Sequence, residues 1–175
     1  MSIRTELINA IFTAIGENVP EVAYIDLWNE QIAYIAEGAV WPTPSLFVEF
    51  EEIAWQQEMQ RVRRADVGIR LHIITRHVSG TGVYLHTTGD DSEVKNITPA
   101  TGAVEYFNLI DRINAVMSSL VGENFTPLML TASTTNHNHE ELVESVERYV
   151  CRARDLSSAT TGNVVPVPVT TLKLR

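Results

Sequence analysis

The sequence is short of cysteine, of positive charge and of long apolar runs, and each shortage removes a class of protein. A single cysteine, Cys151, leaves no intramolecular disulfide framework and no paired CxxC zinc site. Thirteen Lys and Arg stand against 22 Asp and Glu, a formal charge of −9. That sign is wrong for a protein whose main task is to grip phosphate backbones. The uncharged apolar stretches fall far short of the ~20 residues that a bilayer-spanning helix needs, so no membrane partner is expected. Arg4 and Glu6 stand where a secretory signal would carry its apolar run, and the expected compartment is a reducing cytoplasm. No GxSxG, HExxH or kinase motif set occurs.

What is present is the make-up of a self-sufficient domain. The 175 residues are 45% hydrophobic and 20% charged, which argues against disorder. A chain of this size hides about 70% of its surface on folding, enough for a core of its own.

The first segment reads as a helix: Leu7, Ile8, Ile11, Phe12 and Ile15 form a stripe of helical period, Ser2 is the N-cap, and Gly16 followed by Pro20 supplies the stop. Residues 22–28 are β-branched and aromatic and read as a strand. Residues 29–44 carry no assignable period, although Pro42 and Pro44 impose extended backbone on the residues before them. Alternation is clearest further on. Leu46, Val48 and Phe50 face one way while Glu49 and Glu51 face the other; Gln56 to Gln60 form a polar turn region. Then Ala65, Val67, Ile69, Leu71 and Ile73 share one face, with Arg64, Asp66, Arg70, His72 and Arg76 on the opposite one. Residues 45–77 therefore read as a long antiparallel hairpin with one buried and one charged face.

Residues 78–102 are rich in turn-formers and read as a long loop insertion. A second helix follows, with Val104, Phe107, Ile110, Ile113, Met117, Leu120 and Val121 on its stripe and Gly122 closing it. Residues 127–133 read as a strand. For residues 140–154 the period fits a helix better, although a strand would put Leu142, Val146 and Val150 on one face and Val143, Tyr149, Cys151 and Ala153 on the other.

The chain finishes on an extended arm, residues 157–175, that contains Val165-Pro166-Val167-Pro168-Val169. Pro166 and Pro168 strip donors from one edge of an extended backbone while Val165, Val167 and Val169 keep theirs on the other. Such a segment adds to a sheet once and blocks further growth. It suits an arm for a neighbouring subunit or for a distant edge of its own sheet; the alternative is a frayed tail.

Chemistry is thinly signalled, and the expectation is a protein that is not an enzyme, with no catalytic residue, no metal and no cofactor. His137-Asn138-His139 with Glu140 and Glu141 supplies zinc-type ligands, but the stretch equally suits a polar surface loop. Gly89-Asp90-Asp91 lacks the alternating ligands of a calcium loop, and Gly80-Thr81-Gly82 lacks the third glycine of a dinucleotide fingerprint. Cys151 reads as a buried thiol. Arg61, Arg63 and Arg64 form the one basic run; with the chain at −9, a contact to an acidic neighbouring subunit is favoured over a phosphate backbone. Glu49 and Glu51 are expected to pair across strands with Arg64, Arg70 or Arg76, each pair worth roughly 0.2–1 kcal/mol. The candidate subunit-interface residues are Arg61, Arg63, Arg64, Arg70, Glu49, Glu51, Val165, Val167 and Val169.

The expected fold class is α+β: one domain over residues 1–156, a mixed, mostly antiparallel sheet with a long hairpin, packed by two amphipathic helices. This order of elements resembles the tail terminator (tail completion) proteins of long-tailed bacteriophages and related contractile injection systems. Three stretches carry the resemblance: the opening helix over 5–15; Pro44-Ser45-Leu46-Phe47-Val48-Glu49-Phe50 with 65–73; and 107–120 running into Phe125-Thr126-Pro127-Leu128 and then 142–155. The resemblance implies a strand for 140–154. It also implies a structural virion protein, made in the host cytoplasm, that forms a homo-oligomeric ring, typically a hexamer. The implied partners are the tail tube protein, whose polymerisation the ring stops, and the head–tail connector or neck proteins, with DNA passing through the lumen without specific binding. A head–tail adaptor is the close alternative, and a small metal-dependent hydrolase using His137 and His139 the distant one.

Overall fold

Helix α1, Ile3–Asn18, starts where the sequence places it: the Ser2 side chain accepts from the Thr5 N–H at 3.3 Å. It runs two residues past Gly16, and the Val19 N–H closes it on the Ile15 carbonyl at 2.8 Å. In the computed structural model, which describes residues 2–30, 41–58, 61–76, 101–136 and 142–159, α1 is followed by β1 (Tyr24–Leu27), β2 (Ser45–Phe50), β3 (Gln56–Gln57), β4 (Arg63–Arg76), α2 (Thr101–Ser119), β5 (Met129–Asn136) and β6 (Leu142–Asp155). The described strands form one mixed sheet in the order β1-β2-β4-β6-β5, with β3 also paired to β4. The β1–β2 pair is parallel and the others are antiparallel. The fold is α+β, as expected.

Strands β4 and β6 are the spine: all fourteen residues of each pair with the other, Arg63 opposite Asp155 and Arg76 opposite Leu142. β2 pairs with residues 69–74 along the other edge of β4, and β3 takes up that edge at Arg63 and Arg64. The polar stretch expected as a turn thus contains a short strand, and the reversal comes after it. There Arg61 adopts φ 63°, and the Glu58 N–H donates to the Val62 carbonyl at 2.7 Å.

Both helices lie on one face of the sheet. Ile3, Leu7, Ile11 and Ile15 of α1 and Leu109, Ile110, Ile113 and Met117 of α2 close over Leu46, Val48, Val67, Ile69, Leu71, Ile73, Tyr149, Cys151 and Ala153, all buried in one core. The expected stripe of α2 is displaced at its ends. Phe107 is 60% exposed, and Val104 and Val121 are exposed too, while Tyr106 and Leu109 pack inward. Each residue turns a helix by about 100°, so Phe107 stands a quarter-turn round from Tyr106, outside the arc that Leu109, Ile113 and Met117 define. α2 also begins at Thr101, inside the range expected as loop.

The stretch over 142–154 is a strand, as the resemblance implies and against its periodicity. β6 holds a strand on each side, and those pairings override a local pattern that would also suit a helix. Near its end Phe125 bridges Ala153, and Gly122 passes so close that a Cβ there would stand 2.1 Å from the Phe125 ring. That close approach, after the helix has ended at Ser119, is why glycine stands at 122. The 137–141 stretch, residues 77–100 and residues 160–175 lie outside the described residues, and with them His137, His139, most of the expected 78–102 loop and the arm residues Val165, Val167 and Val169.

Candidate functional site

The helices leave the second sheet face uncovered among the described residues, and the alternation of β2, β4 and β6 decides what stands there. β2 contributes Phe47 and Glu49; β4 contributes Arg64, Asp66, Arg70, His72 and Ile74; β6 contributes Glu144, Val146, Arg148, Arg152 and Arg154. Glu51, just beyond β2, folds over Gly68, its N–H donating to the Gly68 carbonyl at 3.0 Å. A Cβ at Gly68 would stand 2.2 Å from Glu51 Oε2, so any side chain there must displace the Glu51 carboxylate.

These side chains form one connected chain of charge. Arg148 grips Glu51 with two parallel hydrogen bonds, Nε to Oε1 at 2.8 Å and Nη2 to Oε2 at 2.7 Å, while Arg70 Nε donates to the same Oε1 at 2.9 Å. Arg70 Nη1 is 3.5 Å from Glu49 Oε2, which also lies 3.1 Å from His72 Nε2. The other ring nitrogen, Nδ1, is 2.7 Å from Glu144 Oε1, and Asn136 donates to Glu144 Oε2 at 3.0 Å. The path crosses β6, β4, β2 and back. Both His72 contacts become hydrogen bonds to ionised carboxylates only when both ring nitrogens carry protons. Trp28 covers this end: its ring stacks on His72 at 3.8 Å and 2°, and meets Phe47 edge-on at 6.0 Å. His72 and Glu144 are buried, and Phe47 and Ile74 make a small second core with Trp41 and Leu142. The face expected as charged is therefore apolar at one end.

The Arg148 hydrogen bond is the main reason that the Glu51 carboxyl sits below the ordinary glutamate range, burial opposing it. At the far end, Arg63 turns toward the helix side. Its Nη2 meets Asp155 at 2.8 Å, and its guanidinium lies 5.2 Å over the Trp55 ring. Burial alone would raise the Asp155 carboxyl; the Ser157 N–H and the Arg63 guanidinium outweigh it and hold it low. Behind the sheet, Glu147 accepts from Ser133 at 2.5 Å and from Asn114 at 3.4 Å, and the Tyr149 hydroxyl donates to Asn114. Burial pushes the Cys151 thiol up to about 12, so it is protonated at neutral pH.

Of the expected interface residues, the structure brings Glu49, Glu51 and Arg70 together on the uncovered face, within the chain itself. Arg64 stands on the same face, 3.6 Å from Glu58, which also meets Arg154 at 3.1 Å. The basic run is split three ways: Arg61 in its turn, Arg63 toward the helices, Arg64 outward. Sequence reasoning gave no place to Trp28, Glu144 and Arg148. The signal was available: read as a strand, 142–154 puts Glu144, Arg148, Arg152 and Arg154 on one face. Among the described residues no group of three or more His, Cys, Asp or Glu side chains is placed to hold a metal ion. No described helix is long and apolar enough to cross a membrane. Comparison with protein-family models finds no match to this sequence, and comparison with curated proteins likewise finds none.

Proposed function

We propose that the protein is a ring-forming structural component of a phage-type tail, a tail terminator that caps the tube and offers a surface to the neck. The observation that carries this reading is the two-sided sheet: helices over one face, and on the other a continuous charge lattice on 14-residue strands. A face of this kind suits contact with another protein surface through complementary charge. A heterologous contact of that type closes into a ring when its rotation closes.

The order helix, strand, antiparallel pair, helix, two strands supports the resemblance noted above. The charge arrangement is compatible with a DNA conduit. Arg64, Arg70, Arg148, Arg152 and Arg154 each have a carboxylate within 3.6 Å, so their charge is balanced locally and offers little grip to phosphates. The test is co-expression with a tail tube protein. Electron micrographs are expected to show shortened tubes ending on a ring. Tubes of unchanged length, with no particle at their ends, would overturn the reading. Rings that bind a connector protein and ignore tubes would move it to a head–tail adaptor.

A further inference from the structure

We propose that a cleft between the start of α2, the end of β4 and the approach to β2 binds a small zwitterion of the amino-acid type, a molecule with a carboxylate, an ammonium and an apolar body. This goes beyond the ring reading and does not depend on it.

The alternation that seats Val67, Ile69, Leu71 and Ile73 under the helices runs one step further, to Thr75, which pairs with Val143. The apolar row of β4 stops there. Thr75 instead lines a cleft of about 540 Å³, a size typical of small-molecule sites. α2 contributes Tyr106 and Leu109 to this cleft, and the chain just before β2 contributes Pro44. The Ala23 N–H fixes the Pro44 carbonyl at 2.8 Å, and Ser145 Oγ engages the Tyr106 hydroxyl at 2.7 Å. Thr75 has no such contact. It is 7% exposed, and its Oγ1 is one of two buried side-chain atoms among the described residues with no hydrogen-bond partner. Buried hydroxyls are rarely left unpaired in folded proteins, and one in the wall of a cleft calls for a hydrogen-bonding group from outside the chain.

The charges that line the cleft decide the class of ligand. Glu21 and Arg112 neutralise each other at 2.6 Å. Arg76 and Glu105 are exposed, and neither has an ion-pair partner among the described residues. The lining is therefore balanced, with one guanidinium and one carboxylate still unengaged. A plain anion would answer Arg76 and be repelled by Glu105, and a plain cation would do the reverse. A molecule that bears both charges answers both, with its apolar body against Pro44, Leu109 and Tyr106. The Thr75 hydroxyl is then able to donate to the carboxylate or accept from the ammonium. Because both charged contacts are exposed, the expected affinity is modest, with a Kd on the order of 1 mM.

Calorimetric titration of the full chain tests this with three probes: L-phenylalanine, 3-phenylpropanoate, which lacks the ammonium, and 2-phenylethylamine, which lacks the carboxylate. Saturable binding of phenylalanine is expected, with each truncated probe weaker by about tenfold or more. Thr75→Val keeps the side-chain shape without the hydroxyl and is expected to weaken phenylalanine binding about tenfold. Arg76→Gln, at an exposed position that does not threaten the fold, should weaken phenylalanine and 3-phenylpropanoate while leaving 2-phenylethylamine unchanged. Glu105→Gln should do the converse. Circular dichroism melts that match the original chain show that each loss is local. No saturable heat with phenylalanine would overturn the proposal, and so would equal affinity for 3-phenylpropanoate. Full binding by Thr75→Val would overturn it as well, and would leave that hydroxyl a partner for water only.

Discussion

Replacing His72 with alanine tests the uncovered face where it is most deeply built. The His72 and Glu144 side chains are 8% and 6% exposed, and 2.7 Å separates their paired atoms. His72→Ala takes the imidazole away from Glu144 and from Glu49, and opens a space under the Trp28 ring. Deleting one partner of a buried pair costs about 3–5 kcal/mol, because the other charge is left desolvated. At about 2–4 °C per kcal/mol for a chain of this length, the melting temperature falls by about 6–20 °C. The double variant His72→Phe with Glu144→Leu removes both members of the pair and keeps a ring beneath Trp28. Apolar replacement of a whole buried pair is often close to neutral, so this variant is expected within about 1–2 kcal/mol of the original chain. Urea unfolding at pH 7, followed by circular dichroism, reads both variants. A loss below about 1 kcal/mol for His72→Ala would make the pair no better than an exposed one and refute the reasoning. So would a double variant as weak as the single one.

Three further outcomes follow from the same geometry. Glu51 and Asp155 both titrate below their ordinary values of 4.5 and 3.8, so the stability they contribute is intact above those values and is lost as pH falls beneath them; an acid titration of the urea midpoint should flatten in Asp155→Asn. Gly68→Ala drives a methyl into Glu51 and pushes its carboxylate off Arg148, an overpacking cost of about 1–3 kcal/mol measured by thermal melting. The Cys151 thiol, buried and pushed up to about 12, should react with a disulfide reagent at pH 8 only as fast as the protein unfolds; prompt stoichiometric reaction would contradict its placement.

Much of this architecture is legible in the residues because burial on one face enforces period. The alternation from Ala65 to Ile73 gives β4 and its buried side directly, and Leu7, Ile11 and Ile15 give α1. Reading fails where tertiary contacts outrank local pattern. Residues 142–154 carry a helical period and become a strand because β4 and β5 flank them. Phe107, although apolar, stays out because the arc facing the sheet is fixed by Ile110, Ile113 and Met117. The candidate site was half visible. Glu49, Glu51 and Arg70 were placed on one face from β2 and β4 alone. Glu144 and Arg148 are legible only once 142–154 is read as a strand, against its period, and the Trp28 lid comes from a contact of high sequence separation that no local pattern encodes.

The central claim is that this sheet meets copies of itself in a closed ring, and native mass spectrometry of the full-length chain tests it most directly. A protomer of 19.5 kDa predicts one dominant species at a fixed multiple of that mass, about 117 kDa for six copies. It should persist on dilution. A single 19.5 kDa species at high protein concentration would contradict the account.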